Sequence, residues 1–132
     1  MRYMLMMHAP RGTGDWNINA WSPDDLKAHI EFMHTLNKDL KEAGELVDGQ
    51  GLTPPGEAKL VRAAKGGGPP VTDGPFPEAK EFLAGFWIVE VDSPERAYAI
   101  AARVSSAPGP GGAPLMMPVE VRQVMGAAPA DV

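Results

Sequence analysis

No cysteine occurs in this chain. That excludes disulfides, thiolate metal ligands and a cysteine nucleophile together. An excess of positive charge is also missing: 12 Lys and Arg stand against 17 Asp and Glu, for a formal net charge of -5. The basic residues are scattered, whereas neutralising phosphates needs them clustered, so nucleic acid is not an expected partner. No run approaches the roughly twenty apolar residues that span a bilayer, and no membrane partner is expected. The apolar run Tyr3 to Met7 is too short for the core of a secretory signal and lacks a cleavage site of small residues. The expected location is therefore the cytoplasm. No internal repeat or linker divides the 132 residues. A single domain is expected over 1–125, with a loose tail over 126–132.

Several chemical signatures are absent as well. Neither H-x-H nor H-E-x-x-H occurs, and His29 and His34 stand roughly 140° apart around a helix, so they cannot hold one metal. Gly66-Gly67-Gly68 lacks the G-K-[ST] ending of a phosphate loop. No serine lies in a G-x-S-x-G nucleophile context. Neither a metal nor an organic cofactor is expected.

What is plentiful is glycine and proline, 15 and 14 residues, gathered in clusters that punctuate the chain. Arg2 to His8 reads as a strand apolar on both faces. Ser22, Pro23, Asp24 and Asp25 open a helix with a capping hydroxyl, a proline at the first position and acids at the positive end of the dipole. Its apolar stripe is Leu26, Ile30, Met33, Leu36 and Leu40, and Gly44 ends it. Glu45 to Leu52 is a short strand. Ala58 to Ala64 and Pro70 to Thr72 form a hairpin around the glycine run. Leu83 to Val91 has almost no polar face, which implies burial on both sides. Ser93-Pro94-Glu95 opens a second helix, with Ala97, Ile100, Ala101 and Val104 as its stripe, and Val119 to Val124 is the last strand. Met4, Met6, Met33 and Met125 occupy core-like positions.

This order predicts an α+β fold, a ferredoxin-like βαββαβ sandwich with an inserted hairpin. Two helices cover one face of a four-stranded sheet. The other face carries Met4, Met6 and one side of the Phe86-to-Val91 strand, and a second copy of the chain is the expected cover, giving a homodimer.

Three groups could carry chemistry. His29 falls within the stripe of the first helix, either as a general base tuned by burial or as a core-edge histidine satisfied by a backbone carbonyl. His8, at the end of a central strand, allows the same two readings, while His34 lies off the stripe. Asp73-Gly74-Pro75 is a turn by residue type, and Asp73 either organises that turn or presents a carboxylate at a cleft edge beside an imidazole.

The segment Val71-Thr72-Asp73-Gly74-Pro75-Phe76-Pro77-Glu78-Ala79-Lys80-Glu81 resembles the YCII-related family, in its branch with a D-G-P-F motif. The likeness extends to Met1-Arg2-Tyr3-Met4-Leu5, Ala43-Gly44-Glu45-Leu46, Gly51-Leu52-Thr53-Pro54-Pro55, Gly85-Phe86-Trp87 and Val119-Glu120-Val121-Arg122. It implies a ferredoxin-like fold paired into a dimeric α+β barrel-type assembly, and a cleft with a histidine–aspartate pair. Some relatives are lyase- or isomerase-like enzymes acting on small ring compounds. Many resemble proteins encoded near extracytoplasmic-function sigma factors.

Asp73 matches the motif aspartate. The family histidine follows a proline at the start of the first helix, where this chain has Asp24 and Asp25, with His29 about one turn later. The expected function is a small-molecule-binding dimer with cofactor-free lyase or isomerase activity. Asp73 is the carboxylate, His29 or His8 its partner, and Phe76, Phe86 and Trp87 are the substrate-binding residues. The alternative is a non-catalytic accessory or regulatory module linked to such a sigma factor.

Overall fold

Residues 1–10, 18–68, 71–74 and 80–126 are described by the structure, a computed structural model. In chain order they form β1 (Arg2–Pro10), α1 (Pro23–Glu42), β2 (Leu46–Gly51), β3 (Lys59–Val61), β4 (Val71–Asp73), β5 (Glu81–Glu90), α2 (Pro94–Ser105) and β6 (Val119–Gln123). Four strands make one antiparallel sheet in the order β2-β5-β1-β6, and β3 with β4 makes a separate hairpin. The architecture is α+β and compatible with the ferredoxin-like fold. The two strands with the most continuous apolar character, β1 and β5, are the central pair, because only there are both edges of a strand hydrogen-bonded.

Both helices start as their residues dictate. Ser22 Oγ accepts from the amide of Asp25 at 3.2 Å, Ser93 Oγ accepts from Arg96 at 3.2 Å, and a proline follows each cap. Gly44, at φ 73, takes the left-handed conformation that closes α1, one that costs a residue with a Cβ. Arg96 grips Glu45 through two bonds of 2.8 Å, tying the start of α2 to the approach to β2.

The core lies between the helices and one sheet face. Tyr3, Leu5, Met7 and Ala9 alternate inward from β1; Trp87 and Val89 do so from β5. Leu36 and Leu40 of α1 and Ala97, Ile100 and Val104 of α2 close over them. On the opposite face Met4 pairs with Ile88 and Met6 with Phe86, while Glu120 and Arg122 of β6 flank the same two methionines. None of these methionine or β5 side chains is fully buried.

Some local expectations change. The hairpin strands are only three residues each, and Gly66, Gly67 and Gly68 between them all adopt positive φ. Ile30 is exposed, and His29 takes its place on the buried side of α1. Met125 is fully exposed rather than in the core, since β6 ends at Gln123. Beyond Gly126 the expected loose tail lies outside the described residues. Among the described residues no helix is long and apolar enough to cross a membrane.

Candidate functional site

A cleft of about 450 Å³ opens between α1 and the β2–β5 end of the sheet. Its existence follows from side chains that are missing. Gly49 and Gly51 of β2 pair with Trp87 and Gly85 of β5. Trp87 points toward the helices, so all four positions face the same way. Three of these four positions carry no side chain and Ala84 beside them only a methyl, so the sheet leaves a gap next to the Trp87 ring. The fit is close in places. A Cβ at Gly49 would stand 3.0 Å from the Trp87 ring, and one at Gly85 would stand 2.9 Å from the Gln50 carbonyl oxygen. A Cβ at Gly51 would meet nothing within 4 Å.

Helix α1 forms the roof. His29, Met33 and Asn37 recur every four residues and so share one face, and all three line the cleft. Apolar walls come from Met7, Phe82, Leu52 and the Pro54-Pro55 pair. Among the described residues no charged side chain lines it.

His29 is the one buried polar residue among those described, at 5% exposure. Its Nδ1 lies 3.0 Å from the carbonyl oxygen of Pro108. A carbonyl only accepts, so Nδ1 carries the proton, and in the neutral ring Nε2 holds the lone pair. Trp21 stands edge-on to the imidazole, centroids 5.3 Å apart at 84°. Burial holds the His29 pKa below its ordinary value of 6.5, and the Pro108 bond opposes part of that shift. The loop that supplies Pro108 is docked a second time on α1, where the amide of Gly111 donates to Asp25 Oδ2 at 3.2 Å.

Trp87 presents its ring to the cleft and donates Nε1–H to Asn37 Oδ1 at 2.8 Å. An indole N–H is donor only, which fixes the orientation of the Asn37 amide. Its Nδ2 donors find no acceptor among the described residues.

The remaining sequence candidates lie elsewhere. Asp73 ends β4 on the hairpin, its side chain 91% exposed, where it accepts from Lys59 Nζ at 2.6 Å. That bond holds its carboxyl below the usual range. It does not line the cleft. His8 points to the opposite sheet face, with Nε2 3.0 Å from Glu120 Oε1. Phe86 lies on that same opposite face, across from Met6. Phe76 falls outside the described residues. Of the named candidates, then, His29 and Trp87 come together in one cleft. Met33, Asn37 and the glycine floor were not anticipated. The signal available was the spacing of His29, Met33 and Asn37, one apolar residue between two polar ones on a helix face. Among the described residues no group of His, Asp and Glu could hold a metal ion.

Comparison with known proteins places these features in context. A family model described as the YCII-related domain matches residues 1–110, which include the cleft and the hairpin. An uncharacterised protein of Rhizobium meliloti (strain 1021) is 32% identical over 89 residues, covering 67% of this chain and 71% of the relative.

Proposed function

The chain belongs to the YCII-related family, and on that premise we propose that it binds a small molecule in the cleft beneath α1 and, with His29 as proton acceptor, turns it over by a cofactor-free lyase or isomerase reaction. The observation that carries this reading is a buried imidazole, its Nδ1 on a backbone carbonyl, lining a mostly apolar cleft that Asn37 and Gln50 also line. A general base must be unprotonated at the working pH, and burial keeps His29 so near neutrality. In such a step Nε2 takes a proton from a carbon beside an electron-withdrawing group. The electron pair then either takes the proton back from the imidazolium at another carbon, which is isomerisation, or expels a leaving group, which is a lyase reaction. The imidazolium formed keeps its Nδ1–H bond to Pro108 throughout.

The test is proton exchange in D2O with 2-tetralone, a neutral ring ketone with acidic C–H bonds, followed by NMR. The protein should accelerate deuterium uptake and His29→Gln should lose most of that acceleration. An unchanged rate in the variant would contradict the role of His29.

The proposal extends to assembly. Met4, Met6, Phe86 and Ile88 form an apolar strip on the sheet face opposite the described helices. A second copy laid sheet to sheet would bury it, within the roughly 800 Å² per partner of a standard interface.

One observation favours the accessory reading instead. Val61 and Val71 stand exposed on the hairpin that carries Asp73, as docking surfaces do. Under that reading Asp73→Asn, which breaks the Lys59 pair, alters partner capture and leaves exchange on 2-tetralone untouched.

A further inference from the structure

One free edge of the sheet belongs to a strand whose sequence is complementary to itself. β6 lies at the end of the order β2-β5-β1-β6, so only one of its edges is paired. Its pairing with β1 shows which backbone groups are in use. The His8 amide donates to the Pro118 carbonyl at 3.2 Å, and the Val124 amide donates to the Arg2 carbonyl at 2.9 Å. Along an antiparallel strand these groups alternate in direction, so Glu120 and Arg122, opposite Met6 and Met4, also turn toward β1. Val119, Val121 and Gln123 turn their N–H and C=O groups to the free edge, where no described residue meets them. Val119 and Val121 pack on the core side, while the Glu120 and Arg122 side chains stand exposed on the other face. Within one chain Glu120 uses Oε1 on His8, and Arg122 has no ion pair among the described residues.

We infer that β6 pairs antiparallel with β6 of a second copy, about a two-fold axis through Val121, and so joins two sheets edge to edge. Val121 is the midpoint of the strand Val119–Gln123, so the full length pairs. In that register Val121 meets Val121 of the partner subunit, and Val119 meets Gln123 of the partner subunit. These are the residues whose backbone groups face the free edge. Glu120 then stands opposite Arg122 of the partner subunit, and Arg122 opposite Glu120 of the partner subunit. Such positions lie between the hydrogen-bonded pairs, where side chains approach most closely, and opposite charges there attract. The neighbouring registers fail on the same charges. An axis moved to Glu120 sets two glutamates opposite each other, and one moved to Arg122 sets two arginines. Charged residues on an edge strand ordinarily deter association. Here they select one partner and one register. The contact is isologous, so it uses up the edge and closes on two copies. A single strand of 5 residues buries less than a standard interface, so this contact forms only at concentrations above those that suffice for larger ones. It involves neither the cleft nor the strip of Met4, Met6, Phe86 and Ile88, and it stands apart from the function proposed above.

Sedimentation equilibrium of Ile88→Glu, from about 10 μM to about 1 mM, tests this. That variant carries a charge in the sheet-face strip, so its behaviour does not depend on a sheet-to-sheet dimer. It should pass from monomer to dimer over the range. Adding Glu120→Arg sets like charges opposite each other and should raise the dissociation constant at least about tenfold. Adding Glu120→Arg together with Arg122→Glu exchanges the signs of both pairs and should restore association. Val121→Pro removes an N–H that points to the free edge and spares the β1 ladder, so it should abolish association with helix content unchanged. An Ile88→Glu chain still monomeric at the highest concentration would overturn the inference. So would equal association of the single and double charge variants, or a folded Val121→Pro chain that still dimerises.

Discussion

At the residue scale the account turns on His29. Its pKa is lowered on folding, so the unfolded chain binds its proton more readily than the native one. The neutral native ring therefore contributes stability that is complete above pH 6.5, the ordinary value, and lost as pH falls from there through the folded-state pKa. Urea midpoints of the parent chain and of His29→Gln, compared between pH 7.5 and 5.5, check this. The parent should lose more stability on acidification than the variant, and parallel losses would contradict the burial argument. Asn37 gives a second prediction. Asn37→Leu removes the acceptor of the Trp87 indole and should cost about 1–3 kcal/mol by leaving a buried donor unmet, read by chemical denaturation. Little of this was legible in the sequence. His29 could be placed within the stripe of α1, but the residue that fixes its tautomer, Pro108, is 79 positions away. Asn37 was not among the candidates, because its partner Trp87 is reached only through the tertiary fold.

At the element scale the cleft is a property of β2. A strand that reads Leu-Val-Asp-Gly-Gln-Gly is a poor strand by propensity, and its glycines look like interruptions. In the fold they face α1 and leave the space that a Val or Ile would occupy. The three glycines differ in what they tolerate. Gly85→Ala places a Cβ against the backbone oxygen of Gln50, and Gly49→Ala places one against the Trp87 ring. Gly51→Val meets open space at a φ outside the left-handed region. We expect Gly85→Ala to lower stability most, by about 1–3 kcal/mol as overpacking does. Gly51→Val should leave it within about 0.5 kcal/mol. Thermal melts of the three variants in parallel check the ranking. The helix starts and the end of α1, by contrast, were readable to within a residue. Ser22-Pro23 and Ser93-Pro94 carry their start signals locally, and Gly44 its stop. The exception on α1 was rotation. Ile30 belongs to the stripe by hydrophobicity, yet the imidazole of His29 is the side chain turned inward.

At the scale of the whole molecule the order of elements was enough to predict the sheet. Two capped helices, two strongly apolar strands and two weaker ones allow few arrangements, and the apolar strands took the centre. What order could not supply was the separation of the faces. Phe86 and Trp87 are neighbours in sequence and lie on opposite sides of the sheet, as alternation requires. One lines the cleft, and the other joins the strip proposed for dimerisation. Sedimentation equilibrium tests that strip. Ile88→Glu would bury charge at a sheet-to-sheet interface, so it should yield a monomer where the parent chain is a dimer, with helix content unchanged. A parent chain that is itself monomeric at micromolar concentration would refute the assembly.

The central claim is that the glycine-floored cleft under His29 is where a small molecule binds. The most direct test is a saturation-transfer NMR screen of neutral bicyclic fragments against the parent chain and Gly51→Val at equal folded concentration. Fragments should give signal with the parent chain and lose it in the variant, whose added side chain fills the cleft without disturbing the fold. Signal of equal strength from both proteins would place binding elsewhere and contradict the account.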